Sequence, residues 1–201
     1  MSFTNVHSRS PSSQGLLKPR NALLKISAMT PPTPLIFGRR TEEETVWRWL
    51  ESQSAERLFS LVGPPGVGKT HLARVVLRRQ QARCRRVEHV CFCDLSRSRS
   101  LQAACDAVSQ ALHIPTAALR ASDLQTGIGR WLQSWPREAL LVLDNVEQIL
   151  ESARELVSLW LAVAPHLRVL VTSRSPLGLA FERVLHLQPL AVPKEDASEA
   201  D

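Results

Sequence analysis

Leu58-Phe59-Ser60-Leu61-Val62-Gly63-Pro64-Pro65-Gly66-Val67-Gly68-Lys69-Thr70-His71-Leu72-Ala73-Arg74-Val75-Val76-Leu77 is the stretch from which the rest of the chain is read. The run Leu58–Val62 has the composition of a short buried strand. Gly63 to Thr70 then fit G-x-x-x-x-G-K-[ST], and the residues from His71 onward have helical spacing. Strand, glycine-rich turn and helix in that order make a phosphate-binding loop, because the unpaired amides at a helix mouth face an anion. Gly63, Gly66 and Gly68 let backbone approach phosphate oxygens. Pro64, Pro65 and Val67 fill the turn, Lys69 supplies a movable cation, and the Thr70 hydroxyl is placed to bind Mg²⁺.

The second anchor lies further on. Ala139-Leu140-Leu141-Val142-Leu143-Asp144 puts four large aliphatics in a row, the mark of a parallel strand covered on both faces, and closes on an acid. Ligands of open α/β sheets bind at the carboxyl ends of strands. Asp144 is therefore the natural partner of Thr70 at a metal, holding a water of the Mg²⁺ shell. After it come Asn145, which can orient a water but cannot take its proton, and Glu147, a candidate base. The polar end of the strand Leu167–Thr172 brings Thr172, Ser173 and Arg174. An arginine there would stand near a γ-phosphate.

Between and around these anchors the spacing predicts helices over 41–52 (with a Thr41–Glu44 capping box), up to 82, 100–113, 121–134 and 152–164, and strands over 87–94 and 183–187. Leu124, Ile128, Trp131 and Leu132 are expected to point inward. The strand Val87–Asp94 is expected to be buried on both faces. Residues 1–34 are rich in Ser, Pro and Arg and read as a disordered basic leader, residues 35–190 as one folded domain, and residues 191–201 as a disordered acidic tail. The leader's acid-free composition also fits an organelle transit peptide, but Pro11 and Pro19 interrupt the helical spacing that one needs.

The formal charge of +6 looks at first like a nucleic-acid signal. All of the excess lies in residues 1–40, and the rest of the chain is balanced, which argues against direct DNA binding by this chain. The arginines of the loop-following helix, Arg74, Arg78 and Arg79 with Arg83, Arg85 and Arg86, read as a solvated helix end favoured by the helix dipole. Cys84, Cys91, Cys93 and Cys105 match neither a zinc spacing nor a disulfide framework and read as buried thiols of a reducing cytoplasm. No run is long and apolar enough for a membrane span.

Four segments carry a family resemblance: Phe37-Gly38-Arg39-Arg40, Leu61–Thr70, Leu140–Glu147 and Val169–Gly178. In content, order and spacing they resemble the STAND branch of signalling P-loop ATPases, which includes the NB-ARC proteins and the ATPase domains of AfsR- and LuxR-type bacterial regulators. The resemblance implies that Phe37, Gly38 and Arg39 lie beside adenine and ribose, and that Lys69 and Thr70 are the Walker A lysine and metal ligand. It also implies that Asp144 is the Walker B aspartate and that Arg174 senses the γ-phosphate. His71, next in the loop, joins the nucleotide-binding set.

The expectation is a three-layer α/β/α P-loop NTPase sandwich with a mostly parallel five-stranded sheet. It would bind ATP/ADP with Mg²⁺ and hydrolyse slowly as a cytoplasmic conformational switch. Relatives continue into helical and winged-helix domains, so a protein partner is expected to supply them. Two other readings stand beside this one, an oligomeric AAA+-like ATPase acting on nucleic acid or protein and a catalytically silent interaction module.

Overall fold

The computed structural model describes residues 38–52, 54–84, 87–115, 124–137 and 139–190. The expected leader and tail, Phe37, Arg85, Arg86 and the opening of the helix expected from Ala121 lie outside the described residues. Five helices and five strands follow one another: α1 Arg40–Glu51, β1 Leu58–Val62, α2 Lys69–Arg83, β2 Val90–Asp94, α3 Leu101–Ala111, α4 Leu124–Gln133, β3 Leu140–Asp144, α5 Leu150–Val163, β4 Arg168–Ser173 and β5 Glu182–His186.

The strands form one sheet in the order β2-β3-β4-β1-β5, and every pairing is parallel. Side chains alternate across a strand, so each interior strand feeds two cores. Leu141, Leu143, Val169 and Val171 face α3, α4 and α5. Leu140, Val142, Leu170, Phe59 and Leu61 face α1 and α2. This is the expected α/β/α sandwich, with β1, β3 and β4 buried along their whole length. Chain order reverses at β1, which sits between β4 and β5. The phosphate loop leaves the sheet at that switch point, where open α/β sheets place their ligands.

Several local expectations are corrected. α1 begins at Arg40, so Thr41 lies inside the first turn and no capping box forms; Arg39 stands at the N-cap without a side-chain cap, and Glu44 pairs with Arg40 at 3.0 Å. Val87–His89 is a 3₁₀ turn and β2 starts at Val90. β2 is half-exposed in its middle because it is an edge strand, which the aliphatic run could not reveal. Trp131 is 37% exposed, whereas Trp135 is buried. The helix expected from Ser152 begins at Leu150, prefaced by a 3₁₀ turn over Val146–Ile149. The basic face of α2 is partly neutralised: Arg79 pairs with Glu43 at 3.1 Å and Arg83 with Glu51 at 2.6 Å, both over the Trp47 ring.

Candidate functional site

β1 delivers the chain to a loop that only glycine permits. A Cβ on Gly63 would lie 2.7 Å from the Leu187 carbonyl oxygen, and Gly66 and Gly68 have φ of 77° and 99° with open space around them. Gly68 is the N-cap of α2, so the first amides of that helix, which have no intrahelical acceptor, open onto the loop. Lys69 is 7% exposed as a residue, and its ammonium spans the turn and donates to the carbonyls of Gly63 at 2.8 Å and Pro64 at 2.9 Å. Burial lowers its pKa; Glu147 opposes that, Arg174 adds to it and Asp144 opposes it.

Behind the loop stands Asp144, at the carboxyl end of β3 and 1% exposed. The Thr70 hydroxyl reaches its carboxylate at 2.8 Å from Oδ1 and 3.0 Å from Oδ2. The Thr172 hydroxyl, from the end of β4, donates to Oδ1 at 2.5 Å and accepts from the Asn145 amide at 3.0 Å. Burial pushes the Asp144 carboxyl above its ordinary range, the Thr172 and Thr70 hydroxyls oppose this, and the charge of Asp94 adds to it. A buried carboxylate met by two hydroxyls and an amide is a hard-oxygen site short of positive charge. Its donor chemistry fits Mg²⁺, which takes one or two protein oxygens and completes its shell with phosphate and water.

Pro65, Gly66, Gly68, Lys69, Thr70, His71, Arg74, Asn145, Glu147 and Arg174 line a cleft of about 430 Å³ over the carboxyl edge of the sheet. Within it Arg174 Nε lies 3.4 Å from Glu147 Oε1, and Glu147 Oε2 is buried with no hydrogen-bond partner among the described residues. Gly63, Pro64 and Val67 build the loop's frame. Arg39 sits behind it and is 6% exposed; its guanidinium donates to the carbonyls of Val67 at 3.0 Å and Gln188 at 2.5 Å. Gly38 packs against Leu190.

A second cleft, of about 440 Å³, lies near the amino ends of β1 and β4. Two of its arginines, Arg57 and Arg168, are already spent on helix-end carbonyls, so the chemistry belongs to the first.

Sequence reasoning missed Asp94, and it read Arg74, which lines the cleft, as part of a solvated helix end. Asp94 ends β2 directly beside Asp144 in the sheet register and accepts from Asn145 Nδ2 at 3.3 Å. Burial works against its charge, but hydrogen bonds from Ser96 and Asn145 and the charge of Arg74 outweigh it, so its carboxyl lies below the usual range. The signal was present: Val90-Cys91-Phe92-Cys93-Asp94 closes an apolar strand on an acid just as β3 does.

A parallel sheet of this order, with a glycine loop opening the helix after β1 and an aspartate ending β3, defines a P-loop NTPase domain. The model of a family described as an AAA domain matches residues 52–178, more than half of the chain, and the chain belongs to that family. A protein of Mycobacterium tuberculosis named as an HTH-type transcriptional regulator is 31% identical over 141 residues, covering 69% of this chain and 15% of its own length. An uncharacterised protein of the same species is 30% identical over 160 residues, covering 77% of this chain and 37% of its own. The chain thus spans well under half of the curated relatives it matches. Among solved structures, a STAND protein with a tetratricopeptide repeat sensor from Pyrococcus horikoshii shares the fold at a TM-score of 0.53 and 14% identity, over 77% of this chain and 23% of that one. Cdc6p from Pyrobaculum aerophilum does so at 0.54 and 17%, over 81% and 48%.

Proposed function

We propose that this domain binds ATP and ADP with Mg²⁺ and hydrolyses ATP slowly, as the conformational switch of a STAND-type regulator in the cytoplasm. The observation that carries the reading is the contact of the Thr70 hydroxyl with the buried Asp144 carboxylate at the mouth of the phosphate loop. Two hard-oxygen donors meet where the phosphates of a nucleotide would lie. The relative named as a transcriptional regulator and the STAND neighbour support the regulatory setting.

In this reading the amides opening α2 cradle the β-phosphate, and Lys69 turns from the loop carbonyls to the β- and γ-oxygens. Thr70 and Asp144 would hold Mg²⁺, which when bound neutralises charge on the phosphates. Arg174 leaves Glu147 for the γ-phosphate, and Glu147, freed of its partner, is the residue that can accept a proton from water. In this reading Gly38 and Arg39 would lie beside the adenine and ribose. Because Arg174 belongs to the same chain, the site needs no arginine from a neighbour, which favours a switch over a ring ATPase. A protein partner or further domains would close over the open cleft.

Titration calorimetry with MgATP and MgADP tests this. Binding is expected to be lost at least tenfold in Lys69→Ala and to become independent of Mg²⁺ in Asp144→Ala. Absence of binding by the unmodified chain would overturn the proposal and leave a silent interaction module.

A further inference from the structure

Asn145 follows the metal-site aspartate in a left-handed conformation, φ 62° and ψ 49°, which Asn tolerates better than most residues. That turn brings its carboxamide between two strand ends. Nδ2 donates to Asp144 Oδ2 at 3.0 Å and to Asp94 Oδ1 at 3.3 Å. Both partners are carboxylate oxygens, which accept and do not donate, so the amide has one permitted orientation. The reverse flip would set its carbonyl oxygen against two carboxylates. With Nδ2 committed to the pair, Oδ1 is left to meet whatever enters the cleft that Asn145 lines. Asp144 alone would not fix this with the same force, because it is shared with the Thr70 and Thr172 hydroxyls. Asp94 is held in place by the Ser96 amide at 2.9 Å, and the Leu95 amide ties the end of β2 to the Asp144 carbonyl at 2.8 Å.

We propose that Asp94 is a positioning residue for ATP hydrolysis: it locks the flip of the Asn145 amide so that Oδ1 accepts a hydrogen bond from the attacking water. The inference rests on the nucleotide-binding reading above. In the step concerned, the water oxygen's lone pair forms a new bond to the γ-phosphorus. The bond from that phosphorus to the β,γ-bridging oxygen breaks, and its electron pair leaves with ADP. The water's proton ends on inorganic phosphate or, through Glu147, in solvent. Asn145 orients the water and takes no proton, so this arrangement gives slow turnover, in keeping with a switch.

The test pairs MgATP calorimetry with single-turnover hydrolysis. Asp94→Ala is expected to lower the hydrolysis rate about tenfold while the MgATP Kd stays within about twofold. Asp94→Asn keeps an acceptor for Nδ2 and is expected to retain the rate within about threefold. Asp94→Ser preserves an acceptor for the turn at Ser96 but falls short of Asn145, and should behave as the alanine variant does. This separates positioning from mere support of the turn, and thermal melts confirm that each variant is folded.

In an Asn145→Ala background, removal of Asp94 should have no further effect, since it acts through that amide. A wild-type rate in both Asp94→Ala and Asp94→Ser, an undiminished effect in the Asn145→Ala background, or a loss confined to Kd overturns the inference. So does a chain that binds MgATP yet shows no single turnover, an outcome that leaves nucleotide binding standing. Failure to bind MgATP at all removes the reading beneath it.

Discussion

Burial decides the chemistry of individual side chains here, and it acts in opposite senses on neighbours. Asp144 and Lys69 are both enclosed and both carry charges that the interior disfavours, which leaves the site poised for a bound metal and an anion that would offset them. The cysteines show the same force with no such use. Burial pushes the thiols of Cys91 and Cys105 up to about 11 and that of Cys93 to about 12. The thiolate is the reactive form, and an ordinary thiol titrates near pH ~8.5. In a Cys84→Ser background, labelling by a disulfide reagent at pH 8 is therefore expected to be on the order of 100-fold slower in the folded protein than in urea. The sign for stability follows. These raised values favour the fold below the ordinary thiol range, and the benefit is lost as pH rises from there through about 11 to 12. Thermal melts between pH 8 and 11 should show a fall in Tm, and a flat profile would mean that the thiols are not enclosed. At this scale the sequence was readable wherever a residue's neighbours are also its neighbours in the chain, as for Lys69 with the Gly63 and Pro64 carbonyls of the loop. Thr172 reaches Asp144 from 28 positions away and Asp94 reaches Asn145 from 51, and no local pattern encodes which strand ends will meet.

Elements were legible in kind and less so at their ends. Aliphatic runs announced β1, β3 and β4, but which strands lie at the edge depends on sheet order, so β2, expected to be buried on both faces, is half-exposed in its middle. The carboxyl ends of α1 and α5 fall within one residue of the expected positions, but what holds them was not legible, because distant arginines satisfy them. Arg57 donates to the carbonyls of Leu161 at 2.6 Å and Ala164 at 2.7 Å, ending α5, and Arg168 donates to those of Trp49 at 2.8 Å and Ser52, ending α1. Each guanidinium forks across two carbonyls of a helix end, where the intrahelical donors have run out. Arg168 is 9% exposed and has no carboxylate partner among the described residues, and burial followed by the charge of Arg57 lowers its pKa. Its replacement by Met should cost about 1 to 3 kcal/mol, because the Ser52 carbonyl loses its guanidinium partner and the buried Trp49 carbonyl keeps only Ser52 as donor, and Lys should recover little of that since an ammonium lacks the planar fork. Urea unfolding measures both, and a variant as stable as the parent would show that water satisfies the helix end. β1 carries the converse case. Ser60 is fully buried and its hydroxyl has no hydrogen-bond partner among the described residues. Ser60→Ala is expected to leave stability unchanged or raise it by up to about 1 kcal/mol, the reverse of most core substitutions. A loss above that size would reveal a bonded hydroxyl.

For the molecule as a whole, the question is whether one chain holds a complete phosphate site or whether neighbours must complete it. AAA domains are compatible with both arrangements, and the fold likeness to the STAND protein and to Cdc6p does not separate them. On the reading proposed above, the position of Arg174 favours the first. It follows β4, lines the cleft over the loop, and is 59% exposed on its side chain with Glu147 as a weakly spaced partner at 3.4 Å. A guanidinium so placed can swing to a γ-phosphate at the cost of one partly solvated ion pair, worth at most about 1 kcal/mol. An arginine that reaches the phosphate from the same chain makes turnover a property of the single molecule. Hydrolysis per chain is then expected to be independent of protein concentration from about 0.1 to 10 µM, a range wide enough to expose an assembly step. Arg174→Ala should weaken MgATP binding relative to MgADP by about tenfold, as loss of one charge-assisted contact implies. Turnover per chain that climbs steeply with concentration, together with an Arg174→Ala variant that still prefers ATP as the parent does, would place the phosphate-sensing arginine on a second subunit and turn the assignment from switch to ring.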